Sequence, residues 1–145
     1  MAAQKFRIGV VIVVKSSTGD LLVFERGDIP DQWQFPQGGV DVDEEPAEAA
    51  WRELVEETGL TAAHVTLSGE YPDWVLYEYP VELRGLKGQR GQAHRWFFFD
   101  ALDDGIQPTP DNDEFVAWKW APRNWVLDNV VEFRRASYTQ VLTSQ

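Results

Sequence analysis

Residues 38–60 read GGVDVDEEPAEAAWRELVEETGL, and the order of charges in this stretch governs how the rest of the chain is interpreted. Pro46 suits a first helical turn and Gly59 a C-terminal cap, so a helix is predicted from near Glu44 to Pro46 up to Gly59. A helix turns about 100° per residue, which places Glu53, Glu56 and Glu57 within a sector of roughly 100°, while Ala47, Ala50, Trp51, Leu54 and Thr58 share the opposite face. The expected object is a core helix carrying an exposed carboxylate ridge. Such a ridge does not stabilise its own helix. Like charges three or four residues apart cost about 0.2–0.5 kcal/mol per pair, and Glu56 and Glu57 fall in the last turn, where the helix dipole is already negative. A cation is expected there.

At 145 residues, with seven Trp and eight Phe, the chain reads as one domain over residues 1–145, large enough for a core without staples. The absence of cysteine excludes disulfides, thiolate catalysis and Cys-ligated zinc, and points to a cytoplasmic setting. Lys5 and Arg7 flank the apolar run Ile8 to Val14 in superficial imitation of a signal peptide. Lys15 follows at once without a small-residue cleavage pattern, so a buried strand is expected. No run approaches the roughly 20 apolar residues of a membrane span. Thirteen Lys and Arg against 24 Asp and Glu give a net charge of −11, which repels polyanions at long range. A phosphate substrate must then be met locally, by a bound divalent ion and a few placed basic side chains. No feature calls for an obligate protein partner.

Strands are expected at Phe6 to Val14, Leu21 to Phe24 and Trp33 to Phe35, the first two joined through Ser16 to Asp20 as a hairpin. Gly27 to Gln32 reads as a loop, and Gly38-Gly39 as backbone free to turn closely around a ligand. Beyond the helix, His64 to Gly69, Trp74 to Tyr79, Arg95 to Asp100 and Phe115 to Trp120 have strand character. Leu83 to Gln92, with three Gly and three basic residues, reads as a mobile loop. Asn124 to Leu142 returns to a helical pattern with Trp125, Val126, Val130, Phe133, Val141 and Leu142 inward. Sheet, helix, sheet and terminal helix imply an α/β sandwich instead of a doubly wound parallel fold.

The spacing Gly38, five residues, Glu44, seven residues, then Arg52-Glu53-Leu54-Val55-Glu56-Glu57-Thr58-Gly59-Leu60 resembles the Nudix box, G-x5-E-x7-R-E-U-x-E-E-x-G-U, without departure. The resemblance implies a Nudix α/β/α sandwich with a mixed sheet and central catalytic helix, and hydrolysis of a nucleoside diphosphate linked to another group. It also implies Mg2+ as the cofactor, with Mn2+ as a substitute. Hard oxygen ligands suit that ion. Glu53, Glu56 and Glu57 would supply the carboxylates, a backbone carbonyl at Gly38 or Gly39 would complete the set, Glu56 or Glu57 would act as base, and Arg52 would orient the glutamates. Glu44 would hold the loop to the helix.

Outside the box, Trp33-Gln34-Phe35-Pro36-Gln37-Gly38-Gly39 is similar to the subgroup of bacterial RNA pyrophosphohydrolases and plant-type asymmetrical dinucleoside tetraphosphate hydrolases. Tyr77-Glu78-Tyr79-Pro80 after Trp74, Arg90-Gly91-Gln92 with Arg95-Trp96-Phe97, Glu114-Phe115 with Trp118-Lys119-Trp120, and Phe133-Arg134-Arg135 before Tyr138 fit it in order. By that resemblance Glu114 is a fourth acidic ligand, and Arg26, Gln92, Arg95 and Arg134 meet phosphates or frame the pocket. Tyr77 and Tyr138 are candidates for base stacking, and His94 for a phosphate donor. Trp51, Trp118 and Trp120 are expected in the core. Two departures stand out: Phe6-Arg7-Ile8 replaces a Pro-Asn pair before the first strand's Gly, and Glu25 replaces a second basic residue beside Arg26. Lys5 occupies about the place of a phosphate-binding basic residue. The expected substrate is a 5′-nucleoside polyphosphate, either the 5′ end of triphosphorylated RNA or a dinucleoside polyphosphate. Small-nucleotide hydrolysis, of nucleoside triphosphates or nucleotide sugars, and noncatalytic nucleotide sensing are the competing readings; an intact glutamate set argues against the second.

Overall fold

The computed structural model describes residues 5–111 and 113–144, with the side chains of 85–87 excepted. In chain order the elements are β1 (Phe6–Lys15), β2 (Leu21–Arg26), β3 (Trp33–Gln34), β4 (Gln37–Gly39), α1 (Pro46–Thr58), β5 (Val65–Glu70), β6 (Val75–Glu78), α2 (Val81–Lys87), β7 (Gly91–Ala101), β8 (Phe115–Ala121), α3 (Arg123–Asn129) and α4 (Glu132–Leu142). One mixed sheet has β1 and β7 at its centre, parallel and in register from Phe6 opposite Gly91 to Lys15 opposite Asp100. The other pairings are antiparallel: β2 and β4 on β1, β5 and β6 on β7, and β3 and β8 on the two sides of β2.

The unbroken apolar run of β1 follows from burial on both faces, as parallel central strands require. Val10, Ile12 and Val14 point toward α1 and join Leu22, Phe24, Ala50, Leu54, Phe97 and Phe99 in one core layer. Val11 and Val13 point the other way, where Phe35, Trp96, Phe98, Val126, Tyr138, Val141 and Leu142 form the second layer. This is the α/β/α sandwich with mixed sheet and central helix that the sequence implies. Trp51, Trp118 and Trp120 pack against the α1 layer, as expected.

Three local expectations are corrected. Gly38-Gly39 belong to strand β4, where Gly9, Val10 and Val11 face Gly39, Gly38 and Gln37. Val81–Lys87 is a helix that ends on Gly88 at φ 68°, a left-handed conformation that glycine adopts at little cost. The terminal helix is two helices: Val130, with extended backbone at φ −84° and ψ 151°, breaks the pattern that sequence periodicity carries through.

Candidate active site

Successive residues of a strand face opposite ways, and β4 uses this to divide the site. A methyl group added at Gly38 would stand 2.0 Å from the carboxyl carbon of Glu53, and one added at Gly39 would stand 2.9 Å from a guanidinium nitrogen of Arg7. Two adjacent glycines therefore let an acid press on one face of the backbone and a base on the other.

On the α1 side, Glu48 Oε1 accepts from the Glu45 amide at 3.0 Å at the start of the helix, and Gly59 closes it at φ 73°. Arg52 then ties the helix to the preceding loop. Its Nε and Nη2 donate to Glu44 at 2.8 and 2.9 Å, Nη2 also to the Gly39 carbonyl at 2.8 Å, and Nη1 to Glu53 at 2.7 Å and Glu56 at 3.4 Å. Arg52 holds the Glu44 carboxyl well below the usual range, and Glu44 in turn accepts from the Asp41 amide at 2.9 Å. Glu44 thus staples the loop to the helix, in the role expected of it.

The ridge is not uniformly exposed, which corrects the expectation from helical geometry. Glu56 is 57% exposed in its side chain, but Glu57 is 5% exposed, buried under β4, and accepts from the Gln37 amide at 3.2 Å. Burial, then the Glu114 carboxyl hydrogen-bonded to it, then Glu53, push the Glu57 carboxyl up to about 10. Glu53 is raised chiefly by burial, against the pull of Arg52. Without a cation, a carboxyl so placed holds a proton at neutral pH. That charge deficit and the all-oxygen donor set fit a hard divalent ion. The shell is not closed in this conformation: among the described residues no three Asp, Glu or His side chains stand close enough to hold an ion.

Glu53, Glu57, Glu114 and Gly38 line a cavity of about 460 Å³, and Arg7, Arg26, Gln92 and Arg134 line it from other elements. Arg26 makes a two-point pair with Asp28 at 2.9 and 2.8 Å. Arg134 is buried and donates from Nη1 to Gln34 Oε1. Gln92 is oriented by His94 Nε2, 2.7 Å from its Oε1, and by the Tyr79 hydroxyl. Burial, then Arg134 and Arg7, lower the His94 pKa to about 3, so its ring is neutral and positions Gln92; the structure gives it no contact with the cavity as a phosphate donor. Gln37 Oε1 and Arg134 Nε, on two lining residues, are buried without well-formed hydrogen bonds, and the enclosed Tyr77 hydroxyl interacts with both side chains.

Several expected residues lie elsewhere. Tyr138 is 1% exposed, stacked on Phe35 at 4.9 Å with Trp96 edge-on, and its hydroxyl accepts from the Phe35 amide at 3.0 Å; no ring face is open to a base. Tyr77 is likewise enclosed, by Tyr79, His94 and Phe133. Arg95 leaves the cavity to pair with Glu70 at 2.7 Å over the Trp74 ring. Lys5 precedes β1, and its described bond is a backbone one, its carbonyl accepting from Arg90 at 2.9 Å. Arg52 and Glu56 stand outside the lining, Arg52 bonded to Glu53 and Glu56, and Glu56 exposed. Arg7 and Gln37, which line the cavity, escape sequence reasoning. Strand alternation with Gly9 was the available signal for Arg7.

Comparison with known proteins identifies the family and the fold. The NUDIX domain family profile matches residues 5–141. A protein named RNA pyrophosphohydrolase from Rhodospirillum rubrum is 40% identical over 146 residues, spanning 97% of this chain and 87% of its own. The E. coli dihydroneopterin triphosphate pyrophosphohydrolase shares the fold at a TM-score of 0.77 with 23% identity, over 98% of this chain and 100% of its own. A C. elegans Ap4A hydrolase binary complex shares it at 0.72 with 18% identity, over 95% and 96%. Members of the family generally use divalent metal ions. The chain belongs to the Nudix hydrolase family.

Proposed function

We propose that this protein, acting as one Nudix unit over residues 1–145 in the cytoplasm, hydrolyses a phosphoanhydride bond at the 5′ end of triphosphorylated RNA and depends on Mg2+, with Mn2+ as a substitute. The observation that carries this reading is the buried Glu57 carboxyl bonded to Glu114 in a cavity that arginines line from other elements. Similarity over 97% of the chain to a protein named RNA pyrophosphohydrolase supports the substrate. Glu53, Glu57 and Glu114 would hold the ion, joined by Glu56 and a carbonyl at Gly38. When bound, the ion neutralises charge on the phosphates and lowers the pKa of water.

The chain's own groups do the rest. Arg52 fixes Glu53 and the Gly39 carbonyl, so the carboxylates need little reorganisation when substrate arrives. Glu57 takes a proton from the attacking water, and Glu56 is the alternative base. Arg26 and Arg134 meet phosphate oxygens, which a guanidinium binds through two parallel N–H donors, and Gln92, held by His94 and Tyr79, hydrogen-bonds the nucleotide.

Net charge favours a second reading. At −11 the protein repels a long polyanion, so a dinucleoside polyphosphate with the same 5′-polyphosphate handle is the competing substrate. Catalytic efficiency on triphosphorylated RNA and on diadenosine tetraphosphate, at matched salt with Mg2+ and with EDTA as control, separates the two. A preference for the dinucleotide overturns the RNA reading. Efficient turnover of nucleoside triphosphates or nucleotide sugars alone sinks both.

A further inference from the structure

We infer that Arg7 is a phosphate-binding residue of this site, holding a substrate oxygen from the face of β4 opposite the carboxylates. The inference deepens the proposed function and rests on it for the kind of substrate. Arg7 lines the same cavity as Glu53, Glu57 and Glu114, and its guanidinium packs directly over Gly39, where a methyl group would stand 2.9 Å from it. Of the three arginines lining the cavity, Arg26 is paired with Asp28 and Arg134 is bonded to Gln34. Among the described residues Arg7 has neither a carboxylate nor a hydrogen-bond acceptor as partner. A cation without a counter-charge is unexpected beside a cavity in a chain with 24 acidic residues and 13 basic ones.

The neighbours sharpen the point. Arg7 stands beside Gln92 across the parallel β1 and β7 pair, in the row that continues to Gly9 beside His94. The buried His94 is neutral, so it adds no second positive charge beside Arg7. A guanidinium presents five N–H donors in a planar fork that matches phosphate oxygens. Lys5 shares the strand face of Arg7 by the two-residue period, but it lies before β1 and outside the cavity lining, so the phosphate-binding role expected of Lys5 passes to Arg7. Because Arg7 and Glu53 press on opposite faces of β4, the phosphate that Arg7 holds is not the one beside the carboxylates. The cavity therefore takes substrates with at least two phosphates in a row, one on each side of the Gly38-Gly39 strip.

The test uses Arg7→Met, which keeps the apolar stem, Arg7→Lys, which keeps charge without the fork, and Lys5→Ala as the comparison. Steady-state kinetics on triphosphorylated RNA and diadenosine tetraphosphate should show KM raised about tenfold or more in Arg7→Met with kcat within about threefold, and a smaller rise in Arg7→Lys. The salt dependence of kcat/KM on RNA should flatten by about one released counterion. Lys5→Ala should stay within about twofold of wild type. Unchanged KM in Arg7→Met, a loss confined to kcat, or a larger loss in Lys5→Ala overturns the inference. If wild type turns over neither substrate, the proposed function fails separately. Arg7 is then judged by competition calorimetry with inorganic tripolyphosphate and Mg2+, where equal affinity of wild type and Arg7→Met, or no binding by either, overturns it. Thermal melting of each variant shows whether a loss reflects unfolding.

Discussion

The acidic and basic walls of the cavity are assembled by different means. The acidic wall draws Glu53 and Glu57 from one helix, Arg52 from the same helix as their brace, and Glu114 from the segment just before β8. The basic wall takes Arg7 from β1, Arg26 from β2, Gln92 from β7 and Arg134 from α4, four elements spread over nearly the whole chain. The acidic wall is therefore local except for Glu114, set by helical spacing, and the basic wall exists only when the sheet is complete and α4 has docked. A second contrast concerns partners. The buried Glu57 is held against Glu114 and Glu53 at a cost that a cation relieves, whereas Arg26 and Arg134 each bond a protein acceptor and Arg7 does not.

The largest effect that would break this contrast belongs to Glu57. Glu57→Gln keeps the shape under β4 and should lower kcat by about 10²–10⁴-fold, the range for loss of a general base. Single-turnover hydrolysis measures it, and a rate near wild type would remove Glu57 from the mechanism. Next come the two adjacent glycines. Gly38→Ala drives a methyl into the Glu53 carboxyl, which Arg52 prevents from moving aside, and overpacking of this kind costs about 1–3 kcal/mol. It should reduce kcat at least tenfold with KM little changed. Gly39→Ala meets only the end of the flexible Arg7 side chain and should act on KM instead. If both alanines act alike on kcat and KM, β4 does not divide the site as described.

The smallest effect at neutral pH concerns His94. Its pKa falls from 6.5 to about 3 in the fold, so on acidification the unfolded chain takes up a proton that the native one refuses. Stability from this group is complete above pH 6.5 and declines as pH falls toward 3, by about 1.4 kcal/mol per pH unit within that window. Urea unfolding of wild type and His94→Asn at pH 7 and pH 4.5 checks this: the variant should lose less stability between the two. An equal loss would place the acid sensitivity in the carboxylates alone.

Particular residues show how far the sequence was legible. Helix α1 agrees with its expected start and its Gly59 end because capping chemistry and periodicity are local. β1 was recognisable because burial on both faces leaves one continuous apolar run. The break at Val130 was not, since Val126, Val130 and Val141 keep inward spacing on both sides of it. Tyr138 and Tyr77 looked available for a nucleobase because an aromatic residue reads the same whether it faces a ligand or the core. Only packing against Phe35, Trp96 and Phe133 assigned them inward.

By itself the sequence determined the family, the sandwich, the carboxylate-bearing helix and the class of reaction, since each rests on spacing within a short segment where backbone geometry is nearly invariant. Tertiary structure alone decided that Glu57 is buried and that Arg7 enters the cavity in place of Lys5 or Arg95. Those outcomes depend on which side of a strand meets which neighbour in the assembled sheet, and burial there sets both proton affinity and which charges remain free for substrate.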